Sequence, residues 1–129
     1  MQLYKDKFFG KEFSKCASFF KPTPQNMSRI DKLKEMLEAD PADSFLQHAL
    51  ALEYCKLGDD DTARTYFEKL LSVNPAYVGS YYHLAKLLER KGEEDAAIKI
   101  YEAGMEQARL VGDQHALGEL RGAWEELTL

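Results

Sequence analysis

Residues 58–63 read Gly58-Asp59-Asp60-Asp61-Thr62-Ala63, and residues 92–97 read Gly92-Glu93-Glu94-Asp95-Ala96-Ala97. A glycine that ends one helix in a left-handed conformation, followed at once by acids that cap the next, is the signature of a helix–turn–helix unit. The two copies stand 34 residues apart. Sliding the chain by that period lays 42–75 on 76–109 and pairs Ala42/Ala76, Leu50/Leu84, Ala51/Ala85, Gly58/Gly92, Asp61/Asp95, Ala63/Ala97 and Glu68/Glu102. Lys56/Arg90, Asp59/Glu93, Asp60/Glu94 and Phe67/Tyr101 are conservative pairs at the same offset, and Pro41 recurs as Pro75. An internal repeat of this length implies stacked helical hairpins. A calcium loop is excluded, because three consecutive aspartates provide neither the alternating oxygen ligands nor the internal glycine that such a loop needs.

Apolar residues recur at helical spacing on both sides of these turns, as in Leu46, Leu50 and Tyr54, or Ala63, Phe67 and Leu70, and no segment alternates with period two. The reading is all-α, with helices at 28–39, 42–57, 60–73, 76–91, 94–109 and 113–127. Asp40-Pro41 and Asn74-Pro75 place a capping side chain before a proline expected at the first helical position, and Ser28 with Asp31 forms an approximate capping box. In the last helix Leu117, Leu120, Trp124 and Leu127 make one apolar face, the device by which a repeat stack is closed at its end. Gly118 and Gly122 interrupt that helix and imply either a close helix approach or fraying.

The order of large, small and aromatic positions within the period resembles the tetratricopeptide repeat: Leu50, Ala51, Tyr54, Gly58, Ala63, Phe67 and Pro75 in one copy, and Tyr81, Leu84, Ala85, Leu88, Gly92, Ala97 and Tyr101 in the next. Gln47 stands where a large aromatic is usual, Arg109 replaces the closing proline, and Leu70 and Gly104 occupy a position usually held by alanine. The resemblance implies an α-α superhelix, a right-handed solenoid of TPR-like hairpins. It is laid out as an N-terminal capping helix at 27–41, repeats at 42–75 and 76–109, and a C-terminal capping helix at 110–129.

The family resemblance also implies a function: a non-catalytic interaction module in which the first helix of each repeat lines a concave groove for a peptide or a partner helix. Carried over residue by residue, the groove comprises Phe45, His48, Leu52, Cys55 and Lys56 from the first repeat, and Gly79, Tyr82, Lys86, Glu89 and Arg90 from the second. Tyr82 and Phe45 are the expected anchors, since aromatic side chains bury much area at little entropic cost. Phe45 and Leu52 could instead serve only to pack the adjoining helix. Some family members hold chaperone C-termini in a clamp of lysine, asparagine and arginine; His48, Leu52, Gly79 and His83 depart from that pattern, and no such clamp is expected.

Composition narrows the function classes. The chain has 129 residues, 45% hydrophobic and 30% charged, the balance of one folded domain. No apolar run approaches the roughly 20 residues that span a bilayer, and the expectation is a cytoplasmic protein. Cys16 and Cys55 are too far apart in sequence for a metal-ligand pair and are expected to be reduced thiols. There is no G-x-S-x-G, P-loop, H-E-x-x-H or CxxC, so catalysis is not expected, and no cofactor or metal is implied. His48, His83 and His115 fall at different places in their units and are expected to point in different directions.

Residues 1–27 carry five lysines against Asp6 and Glu12, a charge of +3, which leaves −8 for the rest of a chain whose total is −5. So acidic a body repels phosphate backbones, and the partner is expected to be a protein or peptide with basic groups, not a nucleic acid. Residues 1–26 form a basic aromatic extension outside the repeat. Phe9, Phe13, Cys16 and Phe20 lie on one helical stripe, and Pro22-Thr23-Pro24 is expected to end that helix. Such a helix could dock in its own groove, exchange into a neighbouring chain as a homodimer, or adsorb to an anionic membrane, the last being the least favoured; it could equally be dispensable. The second functional reading is therefore a structural or self-associating module whose groove or end face its own N-terminal helix fills.

Overall fold

The computed structural model describes the backbone of residues 24–129 and the side chains from Arg29 onward; the expected N-terminal amphipathic helix lies outside the described residues. Six helices follow one another: α1 Pro24–Ala39, α2 Ser44–Leu57, α3 Asp60–Val73, α4 Gly79–Arg90, α5 Glu94–Val111 and α6 Gln114–Thr128. Among the described residues there is no strand, and no helix is long and apolar enough to cross a membrane.

The turns carry the logic of the repeat. Gly58 and Gly92 adopt φ of 85° and 82°, as the sequence predicts. In each, the glycine N–H donates to the carbonyl three residues back and the next N–H to the carbonyl five back, Asp59 to Tyr54 at 2.9 Å and Glu93 to Leu88 at 2.9 Å. This satisfies carbonyls that a helix end leaves bare. Asp59 then caps α3 by accepting from the Thr62 N–H at 3.2 Å. Glu93 makes no such bond; its carboxylate accepts from the Arg64 guanidinium at 3.1 and 3.2 Å, tying the second repeat to the first.

The proline expectations are corrected. Pro41 and Pro75 do not begin helices. Each follows the first residue of a turn closed by Asp43 N–H to Asp40 carbonyl (3.1 Å) or Tyr77 N–H to Asn74 carbonyl (3.2 Å), the site that a fixed φ suits. Asp43 is the cap of α2, accepting from the Leu46 N–H at 3.1 Å, whereas α4 starts at Gly79 without a side-chain cap. Ser28 is inside α1 and is no capping box; the helix starts at Pro24, a proline tolerated in a first turn where the N–H has no partner anyway. At Arg109, where the closing proline is absent, nothing stops α5, which runs on to Val111 before Gly112 ends it at φ 79°.

Leu50, Ala51, Ala63, Phe67 and Leu70 of the first repeat, with Leu84, Ala85, Leu88, Ala97 and Tyr101 of the second, form the core at 2% exposure or less. Alanines at Ala51, Ala63, Ala85 and Ala97 let the paired helices approach, and the aromatic rings fill the wedge between repeats. Gln47, in a place usual for a large aromatic, is buried with its Nε2 donating to the Pro41 carbonyl at 2.9 Å. Gly104 is where Tyr81 lands: a Cβ there would stand 2.6 Å from Tyr81 Cβ. Leu117, Leu120 and Ala123 of α6 are buried, with Trp124 and Leu127 packed beside them, so the last helix caps the stack. Gly118 and Gly122 neither fray it nor admit a neighbour: α6 is continuous, and open space surrounds both.

Candidate functional site

The first helices of the units, α2, α4 and α6, touch in sequence and form one layer, with α3 and α5 behind them. The side chains that this layer turns away from its partners make the candidate surface. Along α2, Phe45, His48 and Leu52 lie at i, i+3 and i+7, one helical face. Phe45 is 64% exposed, the largest uncovered ring among the described residues. Leu52 is half-buried against the core.

His48 is an inter-repeat joint. Its Nδ1 lies 2.7 Å from Ser80 Oγ at the start of α4, and its ring centroid lies 5.8 Å from Phe67, 5.4 Å from Tyr77 and 5.5 Å from His83. Burial, with His83 beside it, pulls the His48 imidazole down to about 4, and burial lowers His83 as well. Both rings are therefore neutral at pH 7 and present an apolar, hydrogen-bonding surface. The expectation that the three histidines point apart fails for this pair, because parallel neighbouring first helices bring one turn of α2 against the same turn of α4. His115 is elsewhere, exposed and 3.2 Å from Glu119. Among the described residues no three His, Cys, Asp or Glu side chains cluster so as to hold a metal ion.

On α4, Tyr82 packs edge-on to His83 (5.7 Å) and Tyr101 (6.5 Å), and Lys86 Nζ lies 5.7 Å from the Tyr82 ring centroid. The other charges are already engaged. Glu89 accepts from the Tyr101 hydroxyl at 2.5 Å. Burial, then this carboxylate, raises the Tyr101 phenol, which stays protonated. Arg90 donates to both Asp60 oxygens, at 2.9 and 3.4 Å, and lies 3.9 Å from Cys55 Sγ, a thiol that burial raises. Lys56 is held 3.3 Å from Glu53. Gly79 is exposed, with open space where a side chain would be.

The structure thus places Phe45, His48, Leu52, Tyr82 and Lys86 on one surface, with Lys86 3.9 Å from Glu89 in a loose pair, and commits Lys56, Glu89 and Arg90 to closer partners within the chain. Sequence reasoning overlooked His83 as part of this surface. Its ring stacks on Phe67 at 6.4 Å and 5°, carrying the aromatic strip from α2 to α4. A signal was available in its place next to Tyr82, at the rim of the groove face.

This arrangement of paired helices, glycine turns and a first-helix surface defines a helical-repeat interaction scaffold. The tetratricopeptide repeat profile matches residues 46–77 and 78–109. A tetratricopeptide repeat domain protein from Salinibacter ruber, solved in solution, superposes with a TM-score of 0.66 at 44% identity, over 69% of this chain and 90% of that one. The chain belongs to the tetratricopeptide repeat family. Among curated proteins it is 32% identical over 59 residues to a tetratricopeptide repeat and J domain-containing co-chaperone of Cryptococcus neoformans, 46% of this chain and 11% of that protein. It is 30% identical over 97 residues to the pre-mRNA-splicing factor CLF1 of Eremothecium gossypii, 72% of this chain and 14% of that one. The chain thus spans only a small part of these curated relatives. Repeats of this family generally mediate protein–protein interaction, and the fold is typically non-catalytic.

Proposed function

We propose that the α2–α4–α6 surface binds an extended peptide or a partner helix, with Phe45, Tyr82 and His83 as its apolar anchor and Lys86 as its adjustable charge. The observation that carries this reading is the aromatic strip whose backs are buried on Phe67 and Tyr101 while the Phe45 ring is 64% exposed. Rigidly backed rings lose little entropy on binding and so make effective hot spots. Farther along the layer, α6 contributes the exposed acids Glu119, Glu125 and Glu126, which favour a ligand with basic residues at that end.

The test is a peptide-display selection on the immobilised full chain, followed by fluorescence titration of the selected sequences. Tyr82→Ala and Phe45→Ala are expected to weaken binding by at least about tenfold each, the loss of one well-packed aromatic anchor. Val73→Ala and Leu110→Ala, which remove exposed apolar side chains from α3 and α5, should leave it unchanged. Selected peptides that bind the Phe45/Tyr82 double variant as well as the wild type would refute the assignment.

A further inference from the structure

A second concavity lies on the other side of α2 from the candidate peptide surface. α1 and α3 both pack on α2 but not on each other, so a valley runs between them. Tyr54 stands nine residues after Phe45 on α2, half a revolution away at about 100° per residue, and faces this valley. Its ring stacks on Tyr66 of α3, with centroids 5.7 Å apart and planes 11° from parallel. Beside Tyr66 a cavity of about 470 Å³ opens, lined by Lys34, Leu37 and Glu38 of α1 and by Pro41 of the turn that follows. That is the size of a small-ligand site, and Leu37, Pro41 and Tyr66 give it an apolar wall.

The repeat itself shows which of these groups the fold requires. Counted one period on, Leu37 and Pro41 correspond to Leu71 and Pro75, whereas Tyr54, Tyr66 and Glu38 correspond to Leu88, Ile100 and Ser72. Two aliphatic side chains are enough to fill the corresponding place: Leu88 is buried and Ile100 packs against the core. The stacked rings and the carboxylate are therefore additions that packing alone does not demand.

Charge is disposed unevenly around the cavity. Lys34 and Glu38 stand four apart on α1 and could pair across one turn. Lys34 is instead turned to Tyr54, its Nζ 5.8 Å from the ring centroid, and a side-chain hydrogen bond to Tyr54 raises this ammonium above its ordinary value. Glu38 is left exposed at the rim, with no ion-pair partner among the described residues. On this face of α1 and in its turn Asp31, Glu38 and Asp40 stand against Lys34, with Lys69 across on α3, and the chain beyond residue 27 already carries −8. The balance favours a cation.

We infer that this valley is a second binding site, on the face opposite the peptide surface, and that it takes an arginine side chain presented by a basic protein or peptide. The aliphatic stem lies on Leu37 and Pro41, the guanidinium plane on the Tyr66 ring, and its N–H groups donate to Glu38. Arginine suits the site better than lysine, because a guanidinium is planar, stacks on aromatic faces and is more weakly hydrated than an ammonium. A carboxylate ligand would have to draw Lys34 away from Tyr54 and would meet Glu38.

The test uses the full chain and Nα-acetyl-arginine methylamide, with the matching citrulline compound as its uncharged isostere. Side-chain NMR is expected to show saturable shifts of the Leu37 methyls and the Tyr66 ring protons with the arginine probe, at a Kd on the order of millimolar for a single side chain. The citrulline probe is expected to bind about two- to fivefold more weakly, the worth of an ion pair at an exposed site. Glu38→Gln, which keeps the shape of an exposed side chain, should abolish that difference, and Glu126→Gln on α6 should preserve it. The inference is overturned if Leu37 and Tyr66 show no saturable shift, if the two probes bind the native chain equally, or if the arginine preference survives Glu38→Gln. None of these readouts involves Phe45 or Tyr82, so this inference and the peptide-surface reading fail separately.

Discussion

His48 Nδ1 and Ser80 Oγ meet at 2.7 Å, the bond by which the first helix of one repeat is pinned to the first helix of the next. The imidazole is half-buried against the fully buried Phe67 ring and the half-buried Tyr77 ring, so a charge on His48 would be poorly solvated. Folding therefore opposes protonation of this imidazole.

That opposition makes stability depend on pH. The His48 pKa falls from 6.5 to about 4 on folding, so the unfolded chain binds the extra proton between those values. The contribution is fully present above pH 6.5 and is lost as pH falls toward 4. With some allowance for the ring's partial solvent access, the loss between pH 7 and pH 5 is about 1 kcal/mol from His48, and His83 acts in the same direction. Urea midpoints at the two pH values measure it, and the difference should shrink in His48→Gln.

Glycine substitutions separate packing from helix propensity. In Gly104→Ala the new methyl meets Tyr81 Cβ at 2.6 Å, Tyr81 Cγ at 2.9 Å and Leu120 Cδ1 at 3.1 Å, and Tyr81 Cβ, fixed to its backbone, cannot swing away. A net destabilisation of about 1–3 kcal/mol is expected despite the better helix former. Gly118→Ala and Gly122→Ala meet nothing within 4 Å and should each stabilise α6 by up to about 1 kcal/mol. Thermal unfolding of the three variants gives the order.

Tyr101→Phe removes the hydroxyl that donates to Glu89 at 2.5 Å. The ring keeps its fully buried place, and Glu89 can turn toward solvent and Lys86, 3.9 Å away. The expected cost is about 1.5–3 kcal/mol, that of a hydrogen bond to a charged group. Denaturant titration of the single variant checks it.

Arg64 bridges Glu68 and Glu93 across the repeat boundary at 2.8 and 3.1 Å, with side chains 32%, 53% and 40% exposed. At such exposure water screens the pair, and Glu93→Gln should cost less than about 1 kcal/mol and lose most of that effect at high salt. A larger, salt-independent loss would mean that the bridge sets the angle between repeats.

The helical hairpins and their order were legible in the sequence because each is set locally. Gly58 and Gly92 end helices through their own backbone freedom, and the apolar spacing of Leu50, Tyr54, Phe67 and Tyr101 follows from 3.6 residues per turn. The candidate anchors Phe45 and Tyr82 follow instead from the family resemblance, which assigns the positions of each first helix to the groove. What spacing cannot carry is the competition between partners. Whether Pro41 opens a helix or sits within a turn depended on Asp43 reaching the Leu46 N–H first. Whether Arg90 and Glu89 are free for a ligand depended on Asp60 and Tyr101, 30 and 12 residues away in sequence. The meeting of His48 with His83 arises only when one repeat stacks on the next, so the sequence by itself determined the unit, and the tertiary structure decided which of its polar groups remain uncommitted.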